Sequence, residues 1–126
     1  MIILSVAEVI ELHGRVVAAS GGSQGIREPA LLEAAVLGCY QTFDGSDLYP
    51  SIEEKAARIA YAMSSSHPFV DGNKRAAVVS MLVILRLNDV VIQYSQQELF
   101  TLGVGIADGT FCCEDILSWI RKHILI

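Results

Sequence analysis

Nine consecutive residues, His67-Pro68-Phe69-Val70-Asp71-Gly72-Asn73-Lys74-Arg75, hold most of what this chain could use for chemistry. They stand where the apolar run Ala76 to Leu87 predicts a helix starting near Asn73. Free backbone N–H groups at a helix N-terminus, with Gly72 permitting close approach, make an anion site. Lys74 and Arg75 add two cations beside it, which suits a polyphosphate better than a lone carboxylate. Asp71 offers one hard oxygen of the kind Mg²⁺ takes when phosphates complete its shell. An imidazole titrates near neutral pH, so His67 could act as general base toward an attacking hydroxyl.

Singly, each residue has an ordinary reading. A histidine before proline is commonly a packed or solvated loop residue, Asp71-Gly72 is a common turn pair and helix cap, and Phe69 is a core anchor for the loop. Lys-Arg in a first helical turn, however, opposes the helix dipole and asks for a bound anion or an outside partner. The chemical reading rests on base, metal ligand, glycine and paired cations falling together within nine residues.

The elements that must position this segment are also legible. Three Ser-x-x-Glu boxes, Ser5/Glu8, Ser51/Glu54 and Ser95/Glu98, announce helix starts. Val6, Val9, Ile10, His13 and Val17 follow the first at helical spacing, with His13 on the apolar face as a core residue. Ile52, Ala56, Ile59 and Met63 follow the second, and Glu54 precedes Arg58 by one turn on the outer face. Gly21 to Gly25 is a loop, and Pro29 opens a helix carrying Leu31, Leu32, Ala35 and Val36. Thr42 to Pro50, with Asp44-Gly45-Ser46-Asp47 between Phe43 and Tyr49, reads as an extended flap or hairpin. The helix after Asn73 is apolar almost all round, so it should be the hub. A last helix near Cys112 to His123 buries Ile116, Leu117 and Ile120. The prediction is an all-α bundle of about six helices around a central buried one, with a short flap, in a single domain over residues 1–126.

Composition narrows the function classes. A net charge of -5 with scattered Lys and Arg argues against a nucleic-acid footprint. Three cysteines, two of them adjacent, make no disulfide framework and point to a reducing cytoplasm. The first eight residues lack the basic region of a signal peptide, and Ala76 to Leu85 is far too short for a membrane span. The expectation is a soluble cytoplasmic protein.

His67 to Arg75, written HPFVDGNKR, resembles the signature of the Fic/Doc superfamily, and its Asn-Lys-Arg ending resembles the Doc (death-on-curing) branch. The resemblance extends through Gly21 to Pro29, the flap with Tyr49-Pro50, Glu54-Lys55-Ala56-Ala57 and the helix reaching Asn88. Typical Fic enzymes carry HPFx[DE]GNGRxxR; here Lys74 replaces the second glycine and Val78 the final arginine. Ala76 stands where the Doc motif commonly has Thr.

The resemblance implies that His67 deprotonates a target hydroxyl, that Asp71 holds Mg²⁺, and that Gly72, Asn73, Lys74 and Arg75 hold the phosphates of ATP. Fic enzymes typically transfer AMP to a protein hydroxyl, whereas Doc transfers the γ-phosphate to elongation factor Tu and blocks translation. Lys74 and Val78 both favour the kinase, with the AMP transferase as alternative and a non-catalytic protein-binding module as a third reading. The flap, through Phe43, Asp44, Gly45 and Tyr49, is where a target segment would dock by strand addition, unless it is an ordinary connecting loop. Doc proteins are toxins inhibited by an antitoxin. Fic-type self-inhibition uses [ST]xxxE[GN], and its nearest match, Thr110 to Asp115, reads as a helix start, so inhibition would come from a partner in trans.

Other signals are weaker. Ser64, Ser65 and Ser66 beside His67 lack the G-x-S-x-G elbow of a hydrolase. Cys112 and Cys113 with His123 lack zinc spacing, and the two cysteines read as buried thiols. Gly103-Val104-Gly105 lacks the setting of a dinucleotide loop and reads as the end of a helix.

Overall fold

The computed structural model describes residues 1–125. Its helices are α1 (Val6–Ser20), α2 (Pro29–Leu37), α3 (Ile52–Ser66), α4 (Asn73–Leu87), α5 (Gln96–Ala107) and α6 (Cys113–Lys122). A 3₁₀ turn, Gly38–Tyr40, follows α2, and a hairpin of β1 (Thr42–Phe43) and β2 (Ser46–Asp47) precedes α3. This is the expected all-α bundle with a small flap.

All three serine boxes close. Ser5, Ser51 and Ser95 each accept the N–H of the glutamate three residues on, and each glutamate accepts the N–H of its serine. Such a cap is worth about 1 kcal/mol to a helix start. α6 closes a similar box with Cys112 and Asp115, whose Oδ2 lies 2.9 Å from the Cys112 nitrogen.

The centre is a pair of helices. α3 lies along α4 and also touches α2, the 3₁₀ turn, α5 and α6. Ala56, Ala57 and Ala60 on α3 and Ala76 and Ala77 on α4 are fully buried, and such small side chains let two helix axes approach. Ile59, Met63, Met81, Ile84 and Leu85 fill the space around them. α4 is less enclosed than its composition suggests: Val78, Val79, Leu82 and Val83 are half-buried and Leu87 is exposed.

Several expectations need correction. Ile10 and Leu31 face outward because the inner stripe of α1 is Val9, His13 and Val17, and that of α2 is Leu32, Ala35 and Val36. Gly103 to Gly105 does not end α5, which continues to Ala107. Gly105 is buried there against the Phe111 ring, from which a Cβ would lie only 2.4 Å, so packing outweighs helix propensity. Arg58 does not pair with Glu54. Glu54 caps α3 and lies 3.8 Å from Arg121, while the Arg58 guanidinium sits over the rings of Tyr49 and Tyr61.

The ends of α5 and α6 meet through charge. His123 places Nδ1 2.6 Å from the Trp119 carbonyl and Nε2 2.6 Å from Glu98 Oε2. The Ser95 backbone N–H, then the His123 and Ser95 side chains, lower the Glu98 pKa from 4.5 to about 2. A depressed carboxyl pKa contributes stability above the unfolded value that is lost as pH falls through the folded one. Glu98→Gln should therefore melt below the wild type at neutral pH, and the gap should close as pH falls from 4.5 toward 2 in thermal unfolding followed by circular dichroism.

Candidate active site

The segment between α3 and α4 is short, and left-handed residues bound it on both sides. His67, with φ 53° and ψ 59°, ends α3; Gly72, with φ 73° and ψ 18°, opens α4. Gly72 has a second reason to be glycine: a Cβ would come within 3.0 Å of Val17 on α1. Between them Phe69 is buried and its ring stacks on His13 at 3.6 Å between centroids.

Four groups brace this segment. Nε2–H of His13 donates to the Asp71 carbonyl at 2.7 Å. The Asn73 side chain closes on Phe69, accepting its N–H at 2.8 Å and donating to its carbonyl at 3.0 Å. Arg27 donates to the carbonyls of His67 and Ser66 at 2.7 and 2.9 Å, closing the C-terminal end of α3. The glycine loop zips alongside: the N–H groups of Arg27 and Glu28 reach the Pro68 carbonyl, and Val70 reaches that of Gly25.

The result is a hollow of about 320 Å³ lined by His67, Val70, Asp71, Gly72, Asn73, Lys74 and Arg75. By helix geometry the N–H groups of Asn73, Lys74 and Arg75 have no carbonyl one turn back, and no side chain caps them. Lys74 Nζ lies 3.2 Å from His67 Nε2; an ammonium only donates, so Nε2 presents its lone pair and the ring proton is on Nδ1. Arg75 ties α4 to the end of α1 through the Ser20 hydroxyl and the Gly21 carbonyl, the latter at 2.8 Å. Asp71 accepts the N–H of Ser23 at 3.1 Å and of Gly72 at 2.8 Å. Those two bonds, with smaller help from Arg75 and His13, hold its carboxyl below the usual carboxylate range.

Six of the residues expected from sequence thus come together. Asn73 is corrected in one respect: both polar atoms of its side chain are spent on Phe69, so only its backbone N–H faces an anion. The flap residues Phe43, Asp44, Gly45 and Tyr49 lie on the hairpin and its root and are not among the residues that line the hollow. Phe43 is 75% exposed, and Asp44 and Gly45 make the turn with φ 52° and 79°. Arg27, Ser23 and the bracing role of His13 escaped the sequence reading. Arg27 and His13 reach backbone carbonyls 39 to 58 residues away, and the Ser23 backbone N–H reaches the Asp71 carboxylate 48 residues away; residue type carries no trace of such contacts.

Beside the hollow runs an apolar groove of about 580 Å³ between α1, α4 and α5. Val78 and Val79 line it, and it shares Lys74 and Arg75 with the hollow. The match to Thr110 to Asp115 lies elsewhere, at the start of α6, where Asp115 is engaged with Cys112.

The family model described as "Fic/DOC family" matches residues 3–85, from the start of the chain through nearly all of α4. The chain belongs to the Fic/DOC family. Among curated proteins it is similar to "Protein kinase doc" of Escherichia phage P1, with 31% identity over 119 residues, which span 94% of this chain and 93% of that protein. It is also similar to "Toxin Doc" of Mycolicibacterium smegmatis (strain ATCC 700084 / mc(2)155), 39% identical over 72 residues, 57% of this chain and 55% of that one. Both relatives carry the Doc name, in agreement with the branch that the Asn73-Lys74-Arg75 ending suggested. Among the described residues no helix is long and apolar enough to cross a membrane.

The bracing of this Fic/DOC loop can be measured. His13→Ala removes a stacked ring and leaves the Asp71 carbonyl without its donor, and should cost about 2–4 kcal/mol of unfolding free energy in urea titration. His13→Phe keeps the stack and loses only the hydrogen bond, so about 1–2 kcal/mol is expected. Equal losses in the two variants would refute the bond's contribution.

Proposed function

We propose that this protein is a Doc-type toxin that transfers the γ-phosphate of ATP to a hydroxyl of a translation protein, elongation factor Tu, and so stops translation. The observation that carries the reading is the meeting of His67 Nε2 and Lys74 Nζ, 3.2 Å apart, at a hollow floored by the free amides of α4. A proton acceptor and a phosphate-binding cation stand where a hydroxyl and a polyphosphate would have to meet.

The phosphates of ATP settle against the N–H groups of Asn73, Lys74 and Arg75 and the two cations. In the resting site the Lys74 ammonium occupies the very lone pair that must take a proton. Phosphate draws it away and frees Nε2. His67 then takes the proton of the acceptor hydroxyl as that oxygen bonds to the γ-phosphorus, the bond to the β,γ-bridging oxygen breaks, and ADP leaves. Asp71 suits Mg²⁺: it is ionised, exposed and retains lone pairs, and a single carboxylate is enough when phosphates and water fill the shell. When bound there, the ion would neutralise phosphate charge.

Transfer of the γ-phosphate rather than AMP is supported by Lys74 and Val78. The lysine fills and recharges the place where AMP-transferring relatives have glycine, and Val78 lines the apolar groove, so α4 presents no second arginine there. Inhibition falls to an antitoxin in trans, because among the described residues Asp71 is the only carboxylate lining the hollow. The adjoining groove, apolar but edged by Lys74 and Arg75, is the surface we assign to that partner.

Incubation with cell lysate and ATP labelled at the α or the γ position decides the chemistry. Label from the γ position alone is expected on a band the size of elongation factor Tu; α label retained on protein would replace the kinase with an AMP transferase. His67→Ala should lower transfer at least about 100-fold with the fold intact. Unchanged transfer and unchanged growth arrest would favour a binding module. Asp71→Ala should weaken Mg²⁺-dependent ATP binding in calorimetry, and unaltered binding would remove its metal role.

A further inference from the structure

Lys55 has no part in the chemistry above, yet it is the most deeply buried charge described in the molecule, 2% exposed on a face of α3 otherwise made of Ala56, Ile59 and Ala60. A buried ammonium is costly unless paired, and a hydrophobic residue of similar size would commonly serve a core as well or better. Where this one points explains it. Nζ donates to Asp47 Oδ2 at 3.1 Å and to the Tyr49 carbonyl, so both bonds end on the last strand of the flap and its root. One turn along α3, the Arg58 guanidinium lies 5.7 Å from the Tyr49 ring centroid and 5.9 Å from that of Tyr61.

The flap needs such an anchor. Its strands are two residues long, every residue from Gln41 to Leu48 is exposed, and it carries Phe43 at 75% exposure beside the turn and Leu48 at 48% exposure at its base. A hairpin so short has no stability of its own in water. One bond, Leu48 N–H to the Gln41 carbonyl at 3.0 Å, closes its base.

We infer that Lys55 is a positioning residue for the acceptor protein: its buried ammonium clamps β2 and Tyr49 to α3, holding the flap edge in one register for an incoming strand. The inference deepens the kinase reading and rests on it for the identity of the acceptor. It also accounts for the position of the charge. A cation inside the body can hold a carboxylate and a carbonyl of an exposed hairpin without presenting a side chain that competes for the hairpin's own edge. Docking by strand addition depends on register, because a slip of one residue turns every side chain to the wrong face.

The test compares the wild type with Lys55→Met, Asp47→Ala and the double variant. In Lys55→Met the melting temperature should hold or rise, and ATP–Mg²⁺ affinity in calorimetry should not change. Hydrogen exchange of the flap peptide that includes Leu48 should quicken about tenfold or more, while peptides from α4 keep their protection. With purified elongation factor Tu and γ-labelled ATP, KM for the acceptor should rise about tenfold with kcat nearly unchanged, the mark of lost binding rather than lost chemistry. Asp47→Ala should add little to Lys55→Met, since both remove one contact. Unchanged flap exchange in a folded Lys55→Met protein, or a fall in kcat with KM unmoved, overturns the inference. If the wild type labels no elongation factor Tu, the acceptor named above is wrong, and the exchange measurement still decides the clamp.

Discussion

At the first turn of α4, Lys74 and Arg75 set two positive charges against the positive end of a helix dipole, and three backbone N–H groups beside them lack a carbonyl. Such an arrangement raises the free energy of an isolated helix. The protein spreads the mismatch over neighbours: Arg75 donates to the end of α1, Lys74 donates to His67, and Asp71 contributes a carboxylate to the same corner. Two cations against one carboxylate leave the corner with positive charge in excess, which suits an anion.

The mismatch could not persist on a loose loop. His67 and Gly72 both adopt left-handed backbone, and a non-glycine residue there is costly unless its surroundings hold it. Arg27 holds His67 by its carbonyl, Asn73 closes on Phe69, and His13 reaches across from α1 to the Asp71 carbonyl. The site is therefore built on the ends of α1, α3 and α4 at once. The central α3–α4 pair sets the distance between His67 and the first turn of α4, because the segment from His67 to Gly72 has almost no freedom between two packed helices.

α3 serves both halves of the design. Its C-terminal end presents His67, while Lys55 and Arg58 near its start hold the root of the flap. His67 and the root of the hairpin thus share one rigid element, so the hairpin is located relative to the imidazole through the body of α3. The apolar groove beside the hollow belongs to α1, α4 and α5, on the side of α4 that carries Val78.

What was legible in the chain was local. The three serine boxes fixed helix starts because both bonding partners lie within three residues, and the flap turn announced itself through Asp44-Gly45. The residues that line the hollow were legible too, since His67, Asp71, Lys74 and Arg75 fall in one contiguous stretch of distinctive type. Tertiary structure decided everything that depends on partners far along the chain: that Asn73 spends its side chain on Phe69, that Arg27 and His13 brace the loop, that Arg58 faces tyrosines instead of Glu54, and that Lys55 points inward to the flap. Residue type states what a side chain can donate or accept. Which group it meets is set only when helices pack and bring distant backbone into reach.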